Sequence, residues 1–286
     1  MRGIIKSGSI TSGGEMNSVQ GPRVIAVTSG KGGVGKTNIT LNLAMALSSL
    51  GQRVVIFDAD LGMANVEVLL GVNPRYTLFD FLYNNKSLYE IITPGPNNIK
   101  LISGGSGLLE LANLSQRAIK QLRDTVNHFD VGADIILVDT GAGINKNVLA
   151  FVGAAQEVIV VATPEPTSIT DAYGLIKVLA SYNVHREVNL VVNKVDKERE
   201  AKETYHKLEV TARHFLINTK IRYLGSVKED VNVVKAVRDQ QPFMLYQPDC
   251  AASQSIKDLA AELLGNDSKD QGGFSGFFTR LTRLFS

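Results

Sequence analysis

A glycine-rich stretch with two lysines carries the clearest chemistry in this sequence of 286 residues. It fits the pattern G-x-x-x-x-G-K-[ST], follows an apolar strand-like run and opens an apolar-periodic helical segment. In such a loop, glycines let backbone N–H groups approach a polyphosphate, and the helix N-terminus adds positive partial charge. The sequence therefore predicts a nucleoside triphosphate site. Its residues are Gly30, Lys31, Gly32, Gly33, Val34, Gly35, Lys36 and Thr37.

Three side chains of this loop have predicted roles. Lys36 is expected to reach the β- and γ-phosphates as a catalytic residue, and the Thr37 hydroxyl is expected to ligate Mg²⁺. With a further lysine at its second position, Lys31, the loop resembles the deviant Walker A motif, K-G-G-x-G-K-T, of the MinD/ParA-type ATPases. The resemblance implies an ATP-sandwich homodimer in which Lys31 is catalytic and reaches the partner's phosphates, as an arginine finger does. A solvated loop charge is the alternative for Lys31.

Two aspartates stand where the second strand-like run ends. Asp58 and Asp60 are two residues apart, so they share one side of an extended chain. The segment resembles switch I of the same family, which implies that Asp60 is a catalytic residue that positions the attacking water. Asp58 would support the metal or the lysine network. A pair of solvated loop carboxylates is the alternative.

A third aspartate ends the apolar run of residues 134–138, which is the Walker B arrangement. Asp139 is expected to hold Mg²⁺ through water, because Mg²⁺ keeps much of its hydration shell. The residues that follow, Gly141, Ala142 and Gly143, resemble switch II, where glycine lets the backbone approach the γ-phosphate. Many relatives have proline at the position of Gly141, and this departure predicts a looser switch.

The choice of nucleobase depends on residues 193–196, which read Asn-Lys-Val-Asp. Asn-Lys-x-Asp is the guanine-reading motif of GTPases, in which the aspartate binds the base. Two features favour ATP over GTP. The D-x-x-G switch of small GTPases would need glycine at Ala142, and the deviant loop belongs to an adenine-reading family. By that resemblance Asn193 is expected to contact the adenine, and GTP binding is the alternative.

Composition and periodicity indicate how these residues are positioned. The sequence is 44% hydrophobic with a net charge of +2, and one cysteine, Cys250, supplies neither a disulfide framework nor a metal cluster. Strand-like runs alternate with helical patterns such as 113–129, 166–182 and 197–217. The alternation predicts an α/β fold with a doubly wound, mostly parallel sheet and helices on both faces. The predicted strands are 24–28, 53–57, 99–102, 134–138, 157–162, 188–193 and 221–225.

Both ends of the chain differ from this predicted ATPase domain, which we assign to residues 23–264. Residues 1–22 are rich in Ser and Gly and are predicted to be disordered. Residues 265–273 are expected to form a flexible linker.

The tail, residues 274–285, combines one apolar helical stripe with arginines, the composition of an interfacial helix attracted to anionic lipid. It is therefore predicted to be a membrane-targeting helix, and a helix that packs on the domain is the alternative. The residues predicted to contact the membrane are Phe274, Phe277, Phe278, Arg280, Leu281, Arg283, Leu284 and Phe285.

Longer segments favour one branch of the family. Residues 58–71, 102–107 and 164–173 look most like FlhG, also called FleN or YlxH, which controls the number and position of flagella. That resemblance implies the GTPase FlhF and flagellar C-ring proteins as partners. The net charge of +2 gives little support for DNA binding, so no nucleic acid is expected as a partner. The short D-Q-A-x-x-L-R element with which such proteins often stimulate FlhF does not occur in the sequence. The resemblance also implies a cytoplasmic protein that binds the inner face of the cell membrane in its ATP state.

Two other members of the superfamily remain as alternatives. A MinD-type ATPase that places the division site shares the loop and the tail. A metal-cluster carrier generally has a Cys-x-x-Cys pair, which this sequence does not contain.

Overall fold

The computed structural model of the chain describes residues 21–60, 65–105, 132–216, 218–265 and 273–285. In these residues eight strands form one sheet in the order β3-β4-β2-β5-β1-β6-β7-β8. The β3–β4 pair is antiparallel, and the other neighbouring strands are parallel. The strands are β1 Arg23–Ser29, β2 Val54–Ala59, β3 Ile92–Pro94, β4 Lys100–Ser103, β5 Ile135–Ala142, β6 Glu157–Ala162, β7 Glu187–Val195 and β8 Lys220–Lys228.

Helices follow most strands and begin with ordinary start signals. Asn145 caps one helix by accepting from the N–H of Val148, Pro166 opens the next, and Asp230 caps a third. The described helices are α1 Lys36–Ser49, α2 Asn65–Leu70, α3 Leu78–Tyr83, α4 Lys146–Ala154, α5 Pro166–Ser181, α6 Glu198–Phe215, α7 Val231–Arg238, α8 Phe243–Tyr246, α9 Ala251–Leu264 and α10 Gly273–Phe285, with a 3₁₀ turn at Pro96–Asn98.

The central strands are buried on both faces. In β1, Val24 and Ala26 enter one apolar cluster, while Ile25 and Val27 enter a second cluster on the opposite face. Continuous apolar strands of this kind are expected where helices cover both sides of a parallel sheet. The predicted doubly wound α/β fold is therefore confirmed. Because parallel strands point the same way, their C-terminal ends meet at one edge, where ligands of such sheets bind.

The sequence predicted every strand of this sheet except β3. That strand has three residues, Ile92–Pro94, and ends in proline, so it is too short to show a periodic pattern. The predicted helices 166–182 and 197–217 correspond to α5 and α6. The predicted helix 113–129 and the predicted disordered segment up to residue 20 lie outside the described residues, as does most of the predicted linker.

The tail forms a helix, α10, whose apolar side packs on the domain. Phe274, Phe277, Phe278 and Leu281 are at most 4% exposed and belong to the same apolar cluster as Val24 in β1 and Phe57 in β2. The rings of Phe277 and Phe278 lie 6.2 and 6.0 Å from the ring of Phe57 in β2. Four of the residues predicted to contact lipid therefore fill the core in this conformation.

Arg280, Arg283 and Leu284, which were also predicted to contact lipid, are less buried. Arg280 is half-buried, and its Nε donates to the carbonyl oxygen of Ala154 at the C-terminal end of α4, at 2.8 Å. Arg283 is exposed, and Leu284 is 53% exposed. The side chain of Phe285 lies outside the described part of the structure. None of the described helices has the length and apolar character needed to cross a bilayer.

Candidate functional site

The predicted phosphate loop connects β1 to α1 at the C-terminal edge of the sheet. Its last glycine, Gly35, is the N-cap of α1 and has a φ of 90°, a left-handed conformation that favours glycine. Gly35 has no side chain to accept from the first-turn N–H groups of α1, so these donors are left for another acceptor. An uncapped helix N-terminus after a glycine-rich loop is a phosphate-binding arrangement.

A buried hydrogen-bond network joins this loop to the Walker B strand β5. Asp139 is fully buried, and its carboxylate accepts from Lys36 Nζ at 3.1 Å and from Thr37 Oγ1 at 2.8 Å. Thr40, one turn further along α1, donates its hydroxyl to the same carboxylate at 2.9 Å. Three predicted site residues thus meet at one point. Loss of the Lys36 charge would leave a buried carboxylate without its cation, which typically costs about 3–5 kcal/mol.

A second buried carboxylate lies beside Asp139. The register of β2 and β5 pairs Asp58 with Asp139. Burial, followed by the negative charge of Asp139, raises the pKa of Asp58 from 3.8 to about 7. The amide N–H of Asp60, 3.1 Å from Asp58 Oδ1, and the ammonium of Lys36 act in the opposite direction. The buried ammonium of Lys36 therefore interacts with both carboxylates, by a hydrogen bond to Asp139 and through its charge with Asp58.

The oxygen atoms of this site suit Mg²⁺ as ligands. The carboxylates of Asp58 and Asp139 and the hydroxyl of Thr37 supply oxygen ligands, which Mg²⁺ prefers, and their negative charge exceeds the single charge of Lys36. No group of three or more His, Cys, Asp or Glu side chains among the described residues is placed to hold a metal ion. Phosphate oxygens and water would complete the coordination. A bound Mg²⁺ would neutralise charge on the transferred phosphoryl group.

The predicted catalytic residue Asp60 lies against switch II. A Cβ placed on Gly141 would lie 3.5 Å from Asp60 Oδ1 and would narrow the space beside the carboxylate. Switch II is tied to β1, because the N–H of Gly143 donates to Ser29 at 2.8 Å and Thr140 Oγ1 donates to Val27 at 3.1 Å. The structure therefore brings Asp60 next to Gly141. The role of Asp60 in hydrolysis stays a prediction.

Lys31 has partners within its own chain. Its Nζ lies 2.8 Å from the Glu165 carboxylate and 2.9 Å from Thr167 Oγ1, at the beginning of α5. Both members of the ion pair are partly exposed, and the hydrogen bond from Lys31 holds the pKa of Glu165 below its usual value. Lys31 is thus neither a freely solvated charge nor, in this single chain, directed at the Lys36–Asp139 network. A role across a dimer would require it to leave Glu165.

The Asn-Lys-x-Asp segment supports the phosphate loop. Asn193 Nδ2 donates to the carbonyl oxygen of Val34 at 2.7 Å, and Lys194 Nζ donates to that of Gly33 at 3.0 Å. A Cβ on Gly35 would lie 2.4 Å from Asn193 Nδ2, so Asn193 requires glycine there. Asp196 is exposed. In this structure the donor group of Asn193 is bound to the loop, and its predicted contact with adenine stays a prediction.

Sequence reasoning did not assign roles to several residues that complete the site. Thr40 follows Lys36 by four residues, and this spacing places both on one face of α1. Glu165 and Thr167 fall in a segment that was used only to choose between branches of the family. Their contact with Lys31 depends on the β6–α5 connection lying beside the loop, and sequence spacing does not contain that information.

Comparison with known proteins extends these observations. A sequence profile of the ParA family, described as NUBPL iron-transfer P-loop NTPase, matches residues 20–264. The chain is 39% identical over 249 residues to the antiactivator FleN of Pseudomonas aeruginosa, covering 87% of this chain and 89% of FleN. It is 36% identical over 267 residues to the flagellum site-determining protein YlxH of Helicobacter pylori, covering 91% and 90% of the two chains.

A solved structure shows the same architecture. The structure titled as the MinC:MinD cell division protein complex of Aquifex aeolicus superposes with a TM-score of 0.66 at 28% sequence identity. The match covers 86% of this chain and 97% of that chain. The family profile and the two relatives each span most of the domain that contains the phosphate loop and the Walker B strand.

Proposed function

This chain belongs to the MinD/ParA family of P-loop NTPases, and from that premise we propose that it is a dimerising ATPase switch that regulates the number and placement of flagella. The observation that carries the proposal is the Lys36–Thr37–Asp139 network beneath an uncapped helix N-terminus. The flagellar assignment is supported by the similarity to FleN and YlxH, one of which is named for determining the flagellum site. ATP and Mg²⁺ are its cofactors.

Dimerisation is supported by the edge of the sheet that carries the phosphate loop. Three exposed apolar side chains follow strands at this edge: Val68 in α2, Ile144 after β5 and Val231 at the start of α7. Lys31 lies at the same edge and is held only by partly exposed groups. In the proposed ATP-bound dimer, Lys31 exchanges Glu165 for the phosphates of the partner's nucleotide, which carry more negative charge.

Reversible membrane binding is the second part of the proposal. α10 has apolar residues that the docked state buries, and two arginines that add about 1 kcal/mol each near an anionic leaflet. A single tail would bind weakly, whereas a dimer with two tails gains about 10²–10⁴-fold through avidity. ATP would therefore favour a peripheral position on the cytoplasmic face of the membrane, and hydrolysis would release the protein.

The nucleotide-dependent dimer is tested with two substitutions and light scattering under Mg²⁺ and ATP. Lys31→Ala should keep most of its ATP binding but lose dimerisation and hydrolysis. Asp60→Ala should bind ATP and dimerise but fail to hydrolyse. Lys202→Ala, on the exposed side of α6, is the control and should behave like the wild type. Full dimerisation of Lys31→Ala would contradict the role in trans.

The flagellar role is tested by deleting the gene in the native organism and counting flagella by electron microscopy. Altered number or position, with normal division, would support the proposal. Minicells with normal flagella would support the MinD-type alternative, which rests on the match to the structure titled as the MinC:MinD cell division protein complex. Co-purification would then test FlhF and C-ring proteins as partners.

A role as a metal-cluster carrier is less well supported by the residues than the ATPase switch. The matched family description refers to iron transfer. Cys250 is buried, and its sulfur accepts from the N–H of Ser253 at the start of α9, so it acts as a helix cap. With a single cysteine in the whole sequence, one chain cannot supply a thiolate pair for a cluster.

A further inference from the structure

Two of the segments that distinguish this branch of the family contact each other. The hydroxyl of Ser103, at the C-terminal end of β4, donates to the carboxylate of Glu67 in α2. Ser103 is 2% exposed and Glu67 is half-buried. Hydrogen bonds to an ionised carboxylate are roughly twice as strong as neutral ones, and burial limits competition from water. None of the roles assigned above uses this pair.

The end of β4 also supports the strand that carries the switch I aspartates. Ser103 is the register partner of Asp58 in β2, and the N–H of Gly104 donates to the carbonyl oxygen of Asp58 at 3.1 Å. The carboxylate of Asp58 in turn accepts from the N–H of Asp60 at 3.1 Å. A continuous series of backbone and side-chain contacts therefore runs from Ser103 to Asp60.

The helix that follows Asp60 in sequence, α2, is also held by the contact between Ser103 and Glu67. α2 has six residues, and a helix of this length is not stable in water without tertiary contacts. Two of its side chains, Val66 and Leu70, are buried in the core, and Glu67 supplies the polar contact with Ser103. Ser103 thus lies beside Asp58, two residues before Asp60, and also bonds to Glu67 in α2, the helix that follows Asp60 in sequence.

We propose that Ser103 and Glu67 are positioning residues for ATP hydrolysis, which hold α2 against the end of β4 and thereby set the position of Asp60. The inference rests on the ATPase activity proposed above. Neither residue belongs to the phosphate loop or to the Lys36–Asp139 network. Their loss should therefore lower kcat and leave the affinity for ATP unchanged, because a displacement of about 1 Å in a reacting group can cost on the order of 10²-fold in rate.

The test compares Ser103→Ala, Glu67→Ala and their double variant in the full-length protein. Each single variant should reduce kcat by about 5- to 20-fold, since the pair acts by orientation alone. The double variant should be no worse than either single one, because both remove the same contact. Glu67→Gln keeps an acceptor for the Ser103 hydroxyl and should recover kcat to within about 3-fold of the wild type. Ser181→Ala, an exposed helical serine, is the matched control.

Calorimetry with ATP and light scattering under Mg²⁺ and ATP accompany the kinetics. Affinity and dimerisation of every variant should stay within about 2-fold of the wild type, which a general loss of folding would not allow. Unchanged kcat, additive losses in the double variant, or an equal loss of ATP affinity would each overturn the proposed positioning role. A wild type that binds ATP without hydrolysing it would instead contradict the ATPase function itself.

Discussion

Lys31 and Glu165 form an ion pair that a sandwich dimer would have to break. Their side chains are 37% and 62% exposed, and an ion pair with this exposure contributes only about 0–1 kcal/mol. Glu165→Gln keeps the size of the side chain and removes its charge. ATP-dependent dimerisation should then tighten by about 2- to 5-fold, measured by light scattering over a range of protein concentrations.

Glu187→Gln is the control for this substitution, because Glu187 pairs with Lys220 at 3.7 Å on strands β7 and β8. It should leave dimerisation unchanged. Weaker dimerisation of Glu165→Gln would show that Glu165 contacts the partner chain. The Lys31–Glu165 ion pair would then not be what opposes dimerisation.

Asn193 is the residue whose expected role and observed contact differ most. Its removal leaves the buried carbonyl oxygen of Val34 without its donor, a loss of about 1–3 kcal/mol. Since this contact stabilises the phosphate loop, Asn193→Ala should weaken the binding of ATP and the binding of GTP by similar factors of about 10-fold. Calorimetry with both nucleotides measures this, with the exposed Asn84→Ala as control. A loss confined to ATP would instead establish the predicted contact with adenine.

At the level of residues, the sequence identified the groups that act within one motif. Lys36 and Thr37 are neighbours in one motif, and Asp139 directly follows an apolar run that is easily recognised. The sequence did not show that Glu165 would hold Lys31 or that Asn193 would hold Val34. Those contacts join segments more than 130 residues apart and depend on which strands are neighbours in the sheet.

Among the elements, α4 lies between switch II and the tail, and its last turn contacts a buried histidine. His185 Nε2 donates to the carbonyl oxygen of Val152, at 2.8 Å, and Arg280 donates to Ala154 beside it. Burial lowers the pKa of His185, the charge of Arg280 lowers it further, and the Val152 contact and Glu157 act in the opposite direction. The folded protein therefore resists protonation of this ring.

The sign of the resulting pH dependence follows from proton uptake. The unfolded chain binds a proton at His185 near its ordinary pKa of 6.5, whereas the folded chain binds it only at lower pH. The free energy of unfolding should thus fall as pH drops below 6.5, by at most about 1.4 kcal/mol per pH unit. His185→Gln should reduce this decline between pH 7 and pH 5 in urea denaturation.

His206→Gln is the matched substitution, since His206 is exposed on α6. It should preserve the wild-type decline in stability. An equal pH dependence of the His185→Gln variant and the wild type would show that His185 is not the group that takes up the proton.

At the level of elements, the sequence predicted those that have their own periodicity. The buried strands β1, β2 and β5 are continuous apolar runs, and α5 begins with Pro166, so their positions were predicted to within a few residues. The strand β3 was not predicted, because three residues are too few to show a hydrophobic periodicity. The order of the strands in the sheet was also not predicted, because it is set by long-range packing.

For the whole molecule, docking of α10 changes how the membrane hypothesis must be tested. Deleting the tail removes lipid contacts and also exposes the apolar face around Phe57 and Phe151, so reduced binding would have two explanations. Leu284 is 53% exposed in the docked state. Leu284→Glu should therefore leave docking intact and reduce ATP-dependent sedimentation with anionic liposomes by about 3- to 10-fold, because it places a charge on the inserting stripe.

The two arginines of α10 should have opposite effects in the same assay. Arg283 is exposed, so Arg283→Gln should weaken liposome binding by about 5-fold, the loss of roughly 1 kcal/mol. Arg280 holds the docked helix to Ala154, so Arg280→Gln should raise binding with ADP relative to the wild type. Equal binding of the wild type with ATP and ADP would contradict nucleotide control. Parallel losses in both variants would contradict the docking role of Arg280.

The position of α10 after the strands that it covers also affects how the chain is made. Ribosomes deliver the protein from its N-terminus, so β2 and α4 emerge long before Phe277 and Phe278 are available to cover Phe57. Until α10 has been synthesised, an apolar surface on the nascent domain stays open to chaperones or to other unfinished chains. The core is therefore completed only once α10 has been made, and a chain that stops shortly before residue 273 would keep this surface exposed.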